Sequence, residues 1–212
     1  MISDNQQFEH RYTLDDVKVH SKERTYKGFF AIDQYKVSYK TFAGGETKVL
    51  TREIFERDQN AVAILPYDPV TDEVLLIEQF RPGALQDPKS PWLFEIVAGM
   101  IDAGELPEEA AIRELNEEAH LKIDRDCLHY INSQYPSPGG TSERVTLYIA
   151  TVSLADTDTH GGLEIENEDI RIFKVKAEEA FKACADGRIC NAAALITLLS
   201  LQVRHEEFKN KA

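Results

Sequence analysis

Three carboxylates crowd one short run, Arg113-Glu114-Leu115-Asn116-Glu117-Glu118. Nothing breaks a helix between Pro107 and Ala119, and Pro107 suits a first helical position because its missing N–H costs nothing there. Wound as a helix, the run puts Glu114, Glu117 and Glu118 on one face, since residues three and four apart are neighbours. Ala111, Ile112, Leu115 and Ala119 share a different face, the one expected to pack. Carboxylates held this close repel unless something cationic sits among them. A divalent ion with oxygen ligands, such as Mg²⁺, is the natural occupant, completed by waters and substrate phosphates. Taken alone, these residues are as ordinarily read as a solvated acidic face.

The wider spacing changes that balance. Gly99 is followed after five residues by Glu105, after seven more by Arg113-Glu114-Leu115, and after one more by Glu117-Glu118. This resembles the signature of the Nudix hydrolase family, Gly-x5-Glu-x7-Arg-Glu-aliphatic-x-Glu-Glu-x-Gly-aliphatic. Every defining position matches except the last glycine, where His120 stands. That position falls just past the helix end, where a left-handed backbone is common, and histidine is among the non-glycine residues enriched there. The resemblance implies hydrolysis of a diphosphate joined to another moiety. Glu114, Glu117 and Glu118 are then metal ligands, with the carbonyl of Ala98 as a further one, and Glu118 and Arg113 belong to the catalytic set. Arg113 is better placed to orient carboxylates by charge-assisted bonds than to touch substrate, and Glu105 serves helix entry or the outer shell. Bound Mg²⁺ (two or three ions, with Mn²⁺ able to substitute) would neutralise phosphate oxygens and lower the pKa of a bridging water.

Composition fits this chemistry and disfavours others. The 212 residues suit one large domain, or one with an appended element. Hydrophobic residues at 42% and charged residues at 29% are a soluble globular mixture. A net charge of −13 argues against general nucleic-acid binding, which wants a basic surface. An acidic enzyme still acts on phosphates once a bound cation reverses the local field. Cys127, Cys184 and Cys190 are odd in number and lack metal-ligand spacing, so they read as ordinary thiols of a reducing cytoplasm. The six histidines are scattered, which gives zinc no support. The start has no apolar core of signal-peptide type, and no run approaches the ~18 apolar residues of a membrane span.

Residues 1–15 are polar and Val17 to about Glu56 is β-like, with a Gly44-Gly45 turn. This predicts an N-terminal antiparallel sheet over residues 1–57, ahead of a main domain over 58–212. AVAILPYD and EVLLIEQF, parted by the turn Pro69–Asp72, predict a hairpin. WLFEIVAGMI leads into the signature helix, a strand follows around Cys127–Gln134, and VTLYIATV and IFKV are two more. The tail from Ala177 is helical, and its last apolar stretch is expected on the core. The fold class is α/β; the resemblance implies a Nudix α/β/α sandwich around a mixed sheet.

Substrate choice needs residues outside the signature. EQFRPGA, WLFEIVAGMID, SPGGTSER and ENEDIR resemble the bacterial ADP-ribose pyrophosphatase branch of the family, over nearly the whole chain. The resemblance implies a Mg²⁺-dependent cleavage of ADP-ribose to AMP and ribose 5-phosphate by a cytoplasmic homodimer whose N-terminal strands complete the partner's site. Phe29 and Arg52 are then the stack on adenine, a sensible role for an aromatic and a guanidinium; otherwise they are a sheet-core phenylalanine and a solvated strand arginine. Arg81, at a strand end, suits a diphosphate. Glu95 inside WLFEIV is either paired in the core or turned to the cleft near substrate, and Glu143 is assigned to the terminal ribose. The acidic loop Glu164–Asp169 is either a solvated turn or the carrier of the base, matched by Glu166, and of another ligand, matched by Glu168. Which of Glu164, Glu166 and Glu168 is the base stays open. The alternatives are a diphosphatase for another nucleotide sugar, such as GDP-mannose or ADP-glucose, and a non-catalytic ADP-ribose sensor. No basic DNA-binding element follows Ala177 to support the sensor.

Overall fold

The structure, a computed structural model, describes residues 8–163 and 167–211. The chain forms two compact units: one ends at Asp58 and also takes in Ser137–Ser142, the other holds Gln59–Pro136 and the chain from Glu143.

The first unit is a three-stranded antiparallel sheet, β1 (Val17–Lys27), β2 (Ala31–Tyr39) and β3 (Leu50–Glu56), with β2 central. Every residue of β1 is exposed, so apolar burial does not hold this strand in place. Its ladder with β2 does, together with ion pairs: Asp33 of β2 is buried beneath Arg24 at 2.7 Å and Lys22 at 3.0 Å. Those cations hold the Asp33 carboxyl below its usual range, at about 2. Ser137–Ser142 joins this unit through the Phe55 N–H, which donates to the Gly140 carbonyl at 2.8 Å.

The second unit is a mixed sheet between helices. Its strands are β4 (Ala61–Asp68), β5 (Glu73–Phe80), β6 (Trp92–Glu95), β7 (Val97–Met100), β8 (Leu128–Gln134), β9 (Val145–Thr151), β10 (His160–Gly161) and β11 (Ile170–Lys176). They run in the order β10-β11-β5-β4-β9-β8, with β6 added to β5 and β7 to β4; the β4–β9 pair is parallel. β4 is buried throughout and alternates between two cores, as period-two side chains must. Ala63, Leu65 and Tyr67 face α2 (Ala177–Ala185), α3 (Ala192–Val203) and α4 (His205–Lys209). Val62 and Ile64 face α1 (Pro107–Ala119). This is the expected α/β/α arrangement. No described helix is long and apolar enough to cross a membrane.

Three expectations need correction. The β4–β5 hairpin pairs only at Tyr67–Val74 and Asp68–Glu73; beyond that the strands splay, and β7 and β6 fill the opening. WLFEIVAGMI is accordingly two strands broken at Ile96, one on each neighbour. The packed face of α1 is Ala110, Ala111, Leu115 and Ala119, while Ile112 is half-buried and Glu114 and Glu118 are buried. Two of the three carboxylates therefore point inward, where charge is costly.

Candidate active site

α1 starts and ends where its residue types dictate. Pro107 occupies its first position, and Glu109 accepts the otherwise unpaired Leu106 N–H at 3.0 Å. It stops at His120, which adopts the left-handed conformation (φ 54°, ψ 24°), and the Leu121 N–H returns to the Leu115 carbonyl at 3.0 Å. Alongside runs β7. A Cβ at Gly99 would overlap the Glu114 carboxylate, so only glycine lets strand and carboxylate approach this closely.

Arg113 is the hub of one half of the site. Its Nη1 donates to Glu114 at 2.6 Å and to Glu117 at 3.0 Å, its Nη2 donates to Glu105 and to the Met100 carbonyl, both at 2.9 Å, and its Nε donates to Glu105 at 2.9 Å. Glu105 also accepts the Asp102 N–H at 2.9 Å, which ties the loop before α1 to the same guanidinium. One planar fork thus fixes three carboxylates and a strand end, a geometry that lysine cannot reproduce.

Glu118 lies on the other side of the cluster, 3% exposed, and among the described residues accepts only the Ala98 N–H, at 3.1 Å. Burial pushes its carboxyl up to about 8; Glu168 and Glu114 add to the rise, against the Ala98 N–H and Arg81. Burial also lifts Glu114 above its ordinary range despite Arg113. Among the described residues no three acidic, histidine or cysteine side chains converge as a finished cage, because Glu114 and Glu117 turn to Arg113. The donor set nevertheless fits a hard divalent cation. All of its members are oxygens, Glu114 sits in a cradle that a Cβ would fill, and burial raises both Glu114 and Glu118, which a bound cation would offset.

Arg81 follows β5 and grips Glu95, with Nη2 to Oε2 at 2.8 Å and Nε to both carboxylate oxygens at 3.1 and 3.2 Å. Burial works against its charge, yet Glu95 holds the guanidinium above its ordinary value. Of the two options for Glu95, the structure has it buried and paired. Two neighbours escaped the sequence reading. Asn191 Nδ2 donates to Glu95 at 3.1 Å across 96 residues of chain, which nothing local in the sequence signals. Gln79 is 7% exposed with its Nε2 unpartnered among the described residues, and strand periodicity puts it on the face of β5 that leads to Arg81; its polar type inside EVLLIEQF was the available signal.

The remaining predicted residues are dispersed. Glu168 is half-buried, close enough to raise Glu118, and its carboxylate accepts the Leu163 N–H at 3.3 Å. Glu164 and Glu166 lie outside the described residues. Glu143 is half-buried just before β9, in the second unit. Phe29 and Arg52 belong to the first unit. Phe29 is 83% exposed, which sets aside the alternative of a sheet-core phenylalanine, and rests edge-on against Phe30 at 4.7 Å. Arg52 is exposed on β3 and donates to the Thr51 carbonyl at 2.9 Å.

Known proteins place this arrangement. The ADP-ribose pyrophosphatase of Escherichia coli is 44% identical over 197 residues, covering 93% of each chain. That of Haemophilus influenzae is 38% identical over 201 residues, 93% of this chain and 91% of its own. A GDP-mannose pyrophosphatase of Yersinia pestis is 30% identical over 178 residues, 84% of this chain and 87% of its own. The crystal structure of an ADP compounds hydrolase, 21% identical, superposes with a TM-score of 0.67 over 95% of this chain and 98% of its own, which shows the shared fold. The NUDIX domain model matches residues 57–190, a span that holds β4 and the Gly99–Glu118 signature, and the chain belongs to the Nudix family.

Proposed function

We propose that this chain hydrolyses ADP-ribose to AMP and ribose 5-phosphate with Mg²⁺ at the α1 carboxylates. The observation that carries the substrate is identity of 44% across 93% of both chains with an ADP-ribose pyrophosphatase, against 30% with a GDP-mannose pyrophosphatase. Nudix hydrolases use divalent metal. The ligands assigned here are Glu114, Glu117, Glu118, Glu168 and the Ala98 carbonyl; two or three ions are expected, and Mn²⁺ is expected to substitute. The metal, when bound, supplies charge neutralisation on the diphosphate and a more acidic water.

The chain's own residues do the rest. Arg113 holds Glu114 and Glu117 by one oxygen each, which fixes how the two carboxylates approach the site. Arg81 shares its fork between Glu95 and the diphosphate; its side chain is 41% exposed, which leaves donors for substrate. Glu166 is assigned as the base that takes the proton of the attacking water as the P–O bond to the leaving phosphate breaks. Phe29 and Arg52 are assigned to stacking on adenine, and Glu143 to the terminal ribose. The protein acts in this reading as a cytoplasmic homodimer completed by the N-terminal sheets.

The test is hydrolysis of ADP-ribose, ADP-glucose, GDP-mannose and NADH with Mg²⁺ and with chelator, for the wild type and Glu118→Gln. Metal-dependent release of AMP and ribose 5-phosphate, clear preference for ADP-ribose, and loss of turnover by orders of magnitude in a folded Glu118→Gln are expected. Preference for another sugar would replace the substrate. Tight binding of ADP-ribose without turnover would replace catalysis by sensing.

A further inference from the structure

His120 stands where the family signature has glycine, and the structure shows what it does there. A non-glycine residue at φ 54° is strained, and such strain persists where the surroundings fix the residue in place. The fixing contact is specific: His120 Nδ1 lies 2.7 Å from Asp158 Oδ2, and since an ionised carboxylate only accepts, Nδ1 carries the proton. Asp158 begins the short path to Glu168. The Thr159 carbonyl accepts the Ile172 N–H at 2.9 Å, and His160–Gly161 form β10 against Arg171 and Ile170. Gly161 lies so close to the end of α1 that a Cβ there would overlap the Glu118 carbonyl. Two residues on, the Leu163 carbonyl and N–H meet the N–H and carboxylate of Glu168, both at 3.3 Å.

We propose that His120 is a positioning residue: through Asp158 it fastens β10 to the C-terminal end of α1 and so holds Glu168 beside Glu118. A glycine at this position would relax the backbone but could not reach Asp158. The signature glycine and this histidine are thus alternative solutions, one minimising strain and the other adding a tether between the helix that carries the carboxylates and the segment that brings in one more. The functional half of the inference rests on Glu168 as a metal ligand, the reading proposed above.

Both partners are half-exposed or more, at 50% and 65% of their side chains, so the tether is modest and the expected effect is on the order of threefold. The experiment compares His120→Gly, Asp158→Ala and their double variant with the wild type, in the full chain. It measures amide exchange at Ile170 and Ile172, Mn²⁺ affinity from the free-ion paramagnetic resonance signal, and turnover. Expected are unchanged or higher thermal stability in His120→Gly, faster exchange at Ile172, and Mn²⁺ affinity and kcat lowered about threefold in each single variant, with the double variant no worse than either. Unchanged exchange, or single effects that simply add, would overturn the tether. Faster exchange with unaltered Mn²⁺ affinity would overturn its service to the site. Glu168→Gln separates the two layers: if it leaves Mn²⁺ affinity intact, the ligand assignment fails, and the tether stands or falls on exchange alone.

Discussion

Stripped of metal, the protein should lose stability as pH rises from about 6 to about 8, and Glu118 should be the cause. Its carboxyl, ordinarily near 4.5, is pushed up to about 8 in the fold, first of all by burial. Between those values the folded chain keeps a proton that the unfolded chain has released. Raising the pH therefore favours the unfolded state, by about 1.4 kcal/mol per pH decade. The penalty is absent below about pH 4.5 and fully present above the folded value. From about pH 6 to 8 it comes to about 2 to 3 kcal/mol, or roughly 5–10 °C in Tm for a chain of this size. A divalent cation offsets it by binding the ionised form, so the rise in Tm on adding Mg²⁺ should grow with pH. The assay is thermal unfolding across this range, with chelator and with saturating Mg²⁺, for the wild type and Glu118→Gln. Other titrating groups are common to both proteins and cancel in the difference. A wild-type-minus-variant difference that stays flat from pH 6 to 8, or a Mg²⁺ effect independent of pH, would refute the reasoning.

Other perturbations follow from the same contacts. Gly99→Ala puts a methyl where the Glu114 carboxylate lies, and should lower metal affinity or turnover about 10- to 100-fold while the chain stays folded; titration with Mn²⁺ checks it. Arg113→Lys keeps the charge but loses the fork that joins Glu105, Glu114, Glu117 and the Met100 carbonyl, and kcat should fall about 10- to 100-fold. Full activity in that variant would reduce Arg113 to a surface charge. Arg81→Ala leaves buried Glu95 with Asn191 as its remaining partner, so urea unfolding should show a loss of about 2 kcal/mol alongside a raised KM for the diphosphate substrate.

What the sequence revealed of the fold was local, and the reason is physical. AVAILPYD and EVLLIEQF coincide with β4 and β5, and the helix predicted from Pro107 to Ala119 is α1 to the residue, because strand alternation and helix caps are written in neighbouring side chains. Pairing is not written there. The predicted hairpin closes over two residue pairs only, since β4 spends its edges on β7 and on the parallel β9, strands that lie 36 and 84 residues further on. Likewise the last apolar stretch of the helical tail is not continuous: it is interrupted at Arg204, whose carbonyl accepts the Phe208 N–H and starts α4.

The site divides along the same line. The spacing from Gly99 to Glu118 is a local pattern, and it names the residues around Arg113. It could not name their electrostatics, because helical geometry alone gives Glu114, Glu117 and Glu118 equal standing. The sheet then distinguishes them: Glu117 stays at the rim, Glu114 presses on Gly99, and Glu118 is sealed beneath Ala98. Burial, not spacing, is what sets Glu118 apart from Glu117. His120 carries the argument furthest. As a letter it is a defect in a motif, and only the packing of β10 onto the end of α1 supplies Asp158 as its partner, 38 residues away. A departure from a local pattern is therefore best weighed against what the distant chain brings to that position, which is where the strain at φ 54° finds its compensation.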